Sequence, residues 1–258
     1  MPDGGYVAVV LDQNSVLPLY YQLKEVLREE IEGGAYRPGD LLPSERELCA
    51  RYGVSRITVR QAVLDLVREG LLERRRGKGT FVRRPKVEDD LLGFYDFTRR
   101  MRDKGKEQTV RLLAVETVQS KGAASWLNLE ASEPLVRVTR LRIIDGEPLI
   151  LERAFFPVRY FPGLEKKDFS AAPIYYHLIT EEYGFTVVRA RKYIEPVLLD
   201  RFEAGVLGVK KGAPGLLLVR ITYGKGEIPI SLNKWLVRGD RCRHYIELSA
   251  DGTSEQGG

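Results

Sequence analysis

In the stretch "LPLYYQLKEVLREEIEGG", Tyr20, Leu23, Leu27 and Ile31 recur at helical spacing behind Pro18, and Gly33-Gly34 closes the run. This predicts a first helix with one buried face. In "YRPGDLLPSERELCARYG", which follows, Pro38-Gly39 marks a turn, Ser44 is placed to cap a helix, and Glu47 three residues on completes a capping box. A short second helix from about Ser44 to Tyr52 follows, with Leu48 inward. Gly53 supplies the left-handed turn after which Ser55 caps a third helix. There Val59, Ala62, Val63 and Leu66 occupy i, i+3, i+4 and i+7, so Arg56, Thr58, Arg60 and Gln61 project outward from the first two turns, and Ile57 falls off the stripe. "LLERRRGKGTFVRR" then holds two extended runs, Leu71 to Arg74 and Thr80 to Arg83, joined by a glycine-containing tip, which predicts a hairpin. Helix, helix, turn, helix, hairpin is the order of a winged helix-turn-helix.

Beyond "RPKVEDDLL" the period changes from helical to alternating. The β-rich segments are "VRLLAVETVQS", "LVRVTRLRIIDGEPLILERAFFP", "VVRARKYIEPVLL", "GLLLVRITYGKGEIPISLNKWLVRG" and "RHYIEL", with hairpin turns at "DGEP" and "GKGEIP". Helical segments are expected at Phe94 to Lys104, Gly122 to Leu127, Ile174 to Tyr183 and Asp200 to Leu207. Together these describe an α+β domain on an antiparallel sheet. The expected organisation is a tail over 1–16, a winged helix-turn-helix over 17–83, a linker over 84–92, the α+β domain over 93–248, and a disordered tail over 249–258. The linker is read from Pro85 and from the switch of basic to acidic charge.

Composition narrows the function classes. With 258 residues and 43% hydrophobic content the chain builds packed cores. No run of about eighteen apolar residues exists, and no basic residue precedes the short apolar stretch near the start, so neither a membrane span nor a secretory signal is expected, and the expected compartment is the cytoplasm. Cys49 and Cys242 stand far apart without a CxxC or a nearby histidine, and no metal or cofactor is expected. The net charge of +5 is concentrated early: residues 17–86 hold 15 basic against 10 acidic side chains, and residues 87–258 hold 26 against 24. The run "RRRGKGTFVRRPK" has seven basic residues and no acidic one, a composition that suits a phosphate backbone.

A helix that presents long polar residues from its first turns fits the major groove of double-stranded DNA, where Arg56 and Arg60 can reach guanine or phosphate and Gln61 can pair with adenine. Ser44, Glu45 and Arg46 open the preceding helix, whose free amides together with Arg46 can hold a phosphate. Lys78, with Gly77 and Gly79 permitting close approach, suits the minor groove. In the second domain Arg140 and Arg142, two apart on a predicted strand, share a face and can hold an anion, and Glu152 lies on the partner arm to oppose them or to bind ligand hydroxyls or amines. The alternative for these three is a surface cross-strand salt bridge. Phe97 and Thr98 sit near a helix start, where free amides favour an anion. His177 and His244 are isolated and read as structural.

The words "PGDLLPSERELC", "YGVSRITVR" and "GKGTFV" resemble the N-terminal domain of GntR-type transcription regulators, and the resemblance spans essentially the whole predicted winged helix. It implies operator contacts from Arg46, Ser55, Arg56, Thr58, Arg60 and Gln61, with Gly79 at the wing; Cys49 stands where the family usually has alanine. "FYDFTRRMRDKG", "VTRLRIIDGEPLILER", "IYYHL" and "KWLVRGDRCRHYIEL" are similar to the effector-binding UTRA domain of the HutC branch, a chorismate-lyase-like fold. That similarity implies an effector pocket lined by Phe97, Thr98, Arg140, Arg142, Glu152 and Tyr175. Three positions depart from relatives that bind amino-sugar phosphates: Pro173 replaces a serine, Ser231 a glutamate, and Cys242 the tyrosine of "RGDRY". The reading is therefore a homodimeric repressor that binds operator DNA and answers to a small anionic metabolite. The alternatives are a second domain that only dimerises, or a lyase-like enzyme fused to a DNA-binding domain.

Overall fold

The computed structural model of the chain describes residues 11–83, 86–91, 101, 103–169 and 175–248. It divides into two compact units, Met1–Lys86 and Val87–Gly258.

The first unit is three helices and a hairpin: α1 (Leu19–Glu32), α2 (Glu45–Tyr52), α3 (Arg56–Arg68), β1 (Leu72–Arg75) and β2 (Gly79–Val82). Its core gathers Leu23 and Leu27 of α1, Leu48 of α2, Val59, Ala62, Val63 and Leu66 of α3, and Leu72 and Val82 of the hairpin. The expected α3 stripe is the buried one, while Ile57 is 82% exposed. Both caps form: Ser44 and Glu47 exchange bonds as a capping box, and Ser55 Oγ accepts the Thr58 N–H at 3.2 Å. A backbone bridge from Leu41 to Phe81 adds a third short rung to the wing. Part of the expected N-terminal tail is built in: Leu11 is buried in this core, and Gln22 exchanges two hydrogen bonds with the Asp12 backbone at 2.9 and 3.0 Å.

In the second unit, the elements are β3 (Val87–Asp90), β4 (Gln108–Gln119), α4 (Lys121–Trp126), β5 (Pro134–Ile144), β6 (Glu147–Pro157), α5 (Tyr175–His177) running into a π turn at Leu178–Glu182, β7 (Val187–Leu198), α6 (Arg201–Leu207), β8 (Pro214–Gly224), β9 (Ile228–Arg238) and β10 (Cys242–Tyr245). Six strands form an antiparallel sheet in the order β4-β5-β6-β9-β8-β7. Two three-stranded meanders thus meet through β6 and β9. The β5–β6 connection is the two-residue Asp145-Gly146, both at positive φ, which is the turn that matches strand twist. Asp200 caps α6 with a capping box, as the sequence pattern anticipates for a helix starting there.

One expectation is corrected. The segment 84–92, read as linker, contains β3, which pairs in parallel with β10 and so clips the two ends of the unit together. Its acidic letters concealed an alternating strand, with Val87 and Asp89 buried and Glu88 exposed. The predicted helix over Phe94 to Lys104 lies almost wholly outside the described residues, as does the predicted tail 249–258.

Candidate functional site

On the first unit, Arg56 and Arg60 stand exposed on the outer face of α3, Ser55 is exposed at its cap, and Thr58 and Gln61 are half-buried. The Gln61 amide donates to Asp65 Oδ1 at 3.0 Å, and the Ser55 and Thr58 hydroxyls meet at 2.9 Å. Arg46 is exposed in the first turn of α2. An open groove of about 630 Å3 between the start of α2 and the wing brings together Ser44, Glu45, Arg74, Lys78 and Gly79. Gly79 sits at φ 118°, a backbone conformation that strains any L side chain, so this turn of the wing calls for glycine, and the exposed Leu41 side chain packs close over it. Two of the residues expected to contact DNA have internal duties. Ser44 is occupied by its cap, and Glu45 Oε1 lies 3.7 Å from Arg60 Nε and 3.1 Å from Arg74 Nη2, so one carboxylate ties α3, α2 and the wing together.

On the second unit, the register β5 to β6 to β9 places Arg140 beside Glu152 and Glu152 beside Trp235. Alternation then puts Arg140, Arg142, Glu152 and Trp235 on one sheet face. Glu152 Oε2 accepts Arg140 Nε at 3.0 Å, Arg140 Nη2 at 2.8 Å and Arg142 Nε at 3.3 Å, and its other oxygen accepts the Trp235 indole N–H at 2.6 Å. Arg140 and Glu152 are fully buried and Arg142 is 7% exposed, which overturns the surface salt bridge held open from sequence. Glu152 opposes the arginines; its oxygens are taken by them and by Trp235. The Arg140 guanidinium also lies 4.4 Å above the Tyr175 ring and donates to the Phe169 carbonyl at 3.4 Å. Phe97 and Thr98 fall outside the described residues.

Burial alone would push the Glu152 carboxyl up, but the Arg140 and Arg142 charges and the indole bond overcome it and hold it down to about 2. Burial and the Glu152 charge push the Tyr175 phenol well above its ordinary range, so it stays a neutral donor.

The same face continues across β9 and β8. Ser231, Asn233, Arg220 and Thr222 are all buried, with Arg220 opposite Asn233 and Thr222 opposite Ser231. The Arg220 guanidinium lies 4.8 Å from the Trp235 ring. Sequence reasoning singled out only Ser231 of this set. The signal was present: Arg220 and Thr222, and Ser231 and Asn233, stand two apart on the arms of the "GKGEIP" hairpin, the spacing that identified Arg140 and Arg142. Of the remaining departures, Cys242 lies on β10 opposite Val87, and Pro173 is outside the described residues. His177 is exposed near Glu181 at 3.1 Å, and His244 Nδ1 lies 3.7 Å from Asp89.

A winged helix with an exposed cationic reading helix, joined to an antiparallel-sheet unit with a buried arginine site, defines the class of one-component, ligand-responsive DNA-binding regulators. The comparisons agree. Residues 19–82 match the model of bacterial regulatory proteins of the gntR family, and residues 103–243 match the UTRA domain. The chain belongs to the GntR family and carries a UTRA domain. It is 36% identical over 241 residues to the HTH-type transcriptional repressor NagR of Bacillus subtilis (strain 168), covering 92% of this chain and 98% of NagR. It is 31% identical over 233 residues to the HTH-type transcriptional repressor PhnF of Mycolicibacterium smegmatis, covering 89% and 94%. The crystal structure of PhnF from Mycobacterium smegmatis superposes with a TM-score of 0.61 at 30% identity, covering 88% of this chain and 99% of that one.

Proposed function

We propose that the protein is a homodimeric transcriptional repressor, non-catalytic and cytoplasmic, whose hold on operator DNA is set by a small anion bound between Arg140 and Arg142. The winged helix spans 17–83. Arg56 and Arg60 read the major groove, with Ser55, Thr58 and Gln61 beside them; Arg46 and the cap of α2 at Ser44 face phosphate; Lys78 and Gly79 of the wing reach the minor groove. Glu45 acts as a positioning residue for Arg60. The dimer follows from geometry, since two half-sites spaced by turns of DNA call for a protein two-fold. The names of NagR and PhnF support repression.

The observation that carries the reading is the buried pair of guanidiniums fixed around a single carboxylate oxygen. Removing ions from water is costly unless they are closely paired, and burial in one cluster with Glu152 holds both guanidiniums in fixed positions. A planar anion such as a carboxylate, or a phosphate, is recognised by guanidinium forks held in advance. Phe97, Thr98 and Tyr175 complete the proposed lining. The ligand must favour the dimer arrangement that cannot bind DNA, and a tenfold preference corresponds to about 1.4 kcal/mol.

A thermal-shift screen of anionic metabolites tests this. A ligand at 100 times its dissociation constant adds about 2.7 kcal/mol of stability, an upward shift of several degrees. Arg140→Ala is expected to abolish that shift while Arg60→Ala keeps it. An equal shift in Arg140→Ala places the ligand elsewhere.

A further inference from the structure

A lone exposed isoleucine is ordinary on a protein surface, so the exposure of Ile57 means little without its place. That place is the second residue of α3. At about 3.6 residues per turn, the buried stripe of Val59, Ala62, Val63 and Leu66 marks one side of the helix, and Ile57 stands on the opposite side, between Arg60 and Gln61 of the next turn. Farther along that side Leu64 is half-buried, so the bare apolar group, 82% exposed, lies in the first turn. This is the part of a reading helix that meets base edges. It is also a well-held part: Gly53 turns the chain at φ 65°, and the Ser55 hydroxyl accepts the Thr58 N–H.

The polar side chains around Ile57 have partners to give up. Gln61 donates to Asp65 at 3.0 Å, Ser55 and Thr58 share a hydroxyl contact at 2.9 Å, and Arg60 Nε lies 3.7 Å from Glu45 Oε1. Ile57 has none, because it neither donates nor accepts. Against a base edge it discriminates only by shape and apolar contact. In the major groove the apolar group is the C5 methyl of thymine, whereas cytosine presents its N4 donor, which an isoleucine would cover and leave unpaired. Branching at Cβ largely fixes the side-chain rotamer within a helix, so holding it in contact costs little entropy.

We propose that Ile57 is a specificity-determining residue that packs on the C5 methyl of one thymine in each operator half-site. This rests on the reading of α3 as the major-groove helix. The labour on α3 is then divided by chemistry. Arg56 and Arg60 bring charge, which draws any DNA as well as the right one, while Ile57 brings no charge and rewards a single base. Its contribution is accordingly insensitive to salt, and it is absent from binding to unrelated DNA.

Deoxyuridine, which keeps the pairing edge of thymine and lacks only the methyl, tests this. In an operator duplex selected from random sequences by the wild-type protein, each thymine is replaced in turn and affinity is followed by fluorescence titration. One replacement per half-site is expected to cost the wild-type protein about fourfold, the worth of one buried methyl group, and to cost Ile57→Ala less than about 1.5-fold. Cytosine at that step is expected to bind worse than thymine, and 5-methylcytosine to recover part of the loss. Ile57→Ala is expected to keep the wild-type melting temperature and the wild-type slope of log affinity against log salt, whereas Arg60→Ala lowers that slope by about one. Ile57→Val, which keeps a branched methyl pair, is expected to retain a reduced preference for the methylated base. A scan in which no deoxyuridine matters to the wild-type protein, or a methyl preference that survives undiminished in Ile57→Ala, overturns the inference, and α3 remains the reading helix if Arg60→Ala still weakens binding to the same duplex. Unchanged affinity in Arg60→Ala overturns the reading of α3 and this inference with it.

Discussion

Two carboxylates in this protein do the same thing in opposite surroundings. Glu45 and Glu152 each offer one oxygen to two arginines, Arg60 of α3 and Arg74 of the wing in one case, Arg140 and Arg142 of β5 in the other. The Glu45 side chain is 37% exposed beside an Arg60 side chain 65% exposed, whereas Glu152 and Arg140 are fully buried. Water screens the first cluster, so it orients Arg60 without contributing much stability and can yield when a phosphate arrives. No water screens the second, so its charges are bound to one another and to whatever enters beside them. On the proposed function, the cluster that must release its partners to read DNA is the exposed one, and the cluster that discriminates a small ion is the buried one.

Glu152→Gln breaks the comparison hardest. It leaves two buried guanidiniums around a neutral amide, and urea unfolding is expected to show about 3–5 kcal/mol of lost stability in the second unit. A loss below about 1 kcal/mol would mean the cluster behaves like a surface pair. Next in size, Arg60→Ala is expected to weaken binding to operator duplex by about 1–3 kcal/mol with the protein still folded, and unchanged affinity at physiological salt would remove α3 as the reading helix. Acid should separate the two clusters by a similar amount. The Glu152 carboxyl is held down to about 2 against an ordinary 4.5, so its contribution is complete above about pH 4.5 and is lost as pH falls toward 2. The difference in stability between wild type and Glu152→Gln is therefore expected to be flat from pH 5 to 8, within about 0.5 kcal/mol, and to shrink below pH 4. A difference that changes between pH 5 and 8 contradicts the assignment. The smallest effect belongs to Glu45→Gln, expected to alter stability by at most about 1 kcal/mol and by less in high salt.

What could be read beforehand follows the range of the forces involved. Caps, the α3 stripe and the Asp145-Gly146 turn are settled within a few residues, and the patterns around Ser44, Ser55 and Val59 led directly to the helices that form. The strand β3 was hidden because its partner β10 lies at the other end of the unit, and its acidic letters look solvent-bound until Arg243 and His244 are brought alongside. Alternation placed Arg140 and Arg142 on a common face but could not say which faces are covered, since β5 and β6 are buried on both. Asn233 and Thr222 went unread for the same reason: polar letters in an apolar hairpin look like an outer face until the opposite side proves equally dry. The π turn at Leu178–Glu182 has no local signature in "YYHLITEEYG".

The proposed coupling is that the buried arginines decide when the exposed ones bind DNA. Its most direct test is a fluorescence titration of an operator duplex, selected from random sequences, with wild-type protein and with Arg140→Ala, each with and without the best anion from the thermal-shift screen. The wild-type protein is predicted to lose at least about tenfold in operator affinity when the anion is present, and Arg140→Ala to bind the duplex with near wild-type affinity whether or not the anion is added. A wild-type dose response retained by Arg140→Ala would contradict the claim.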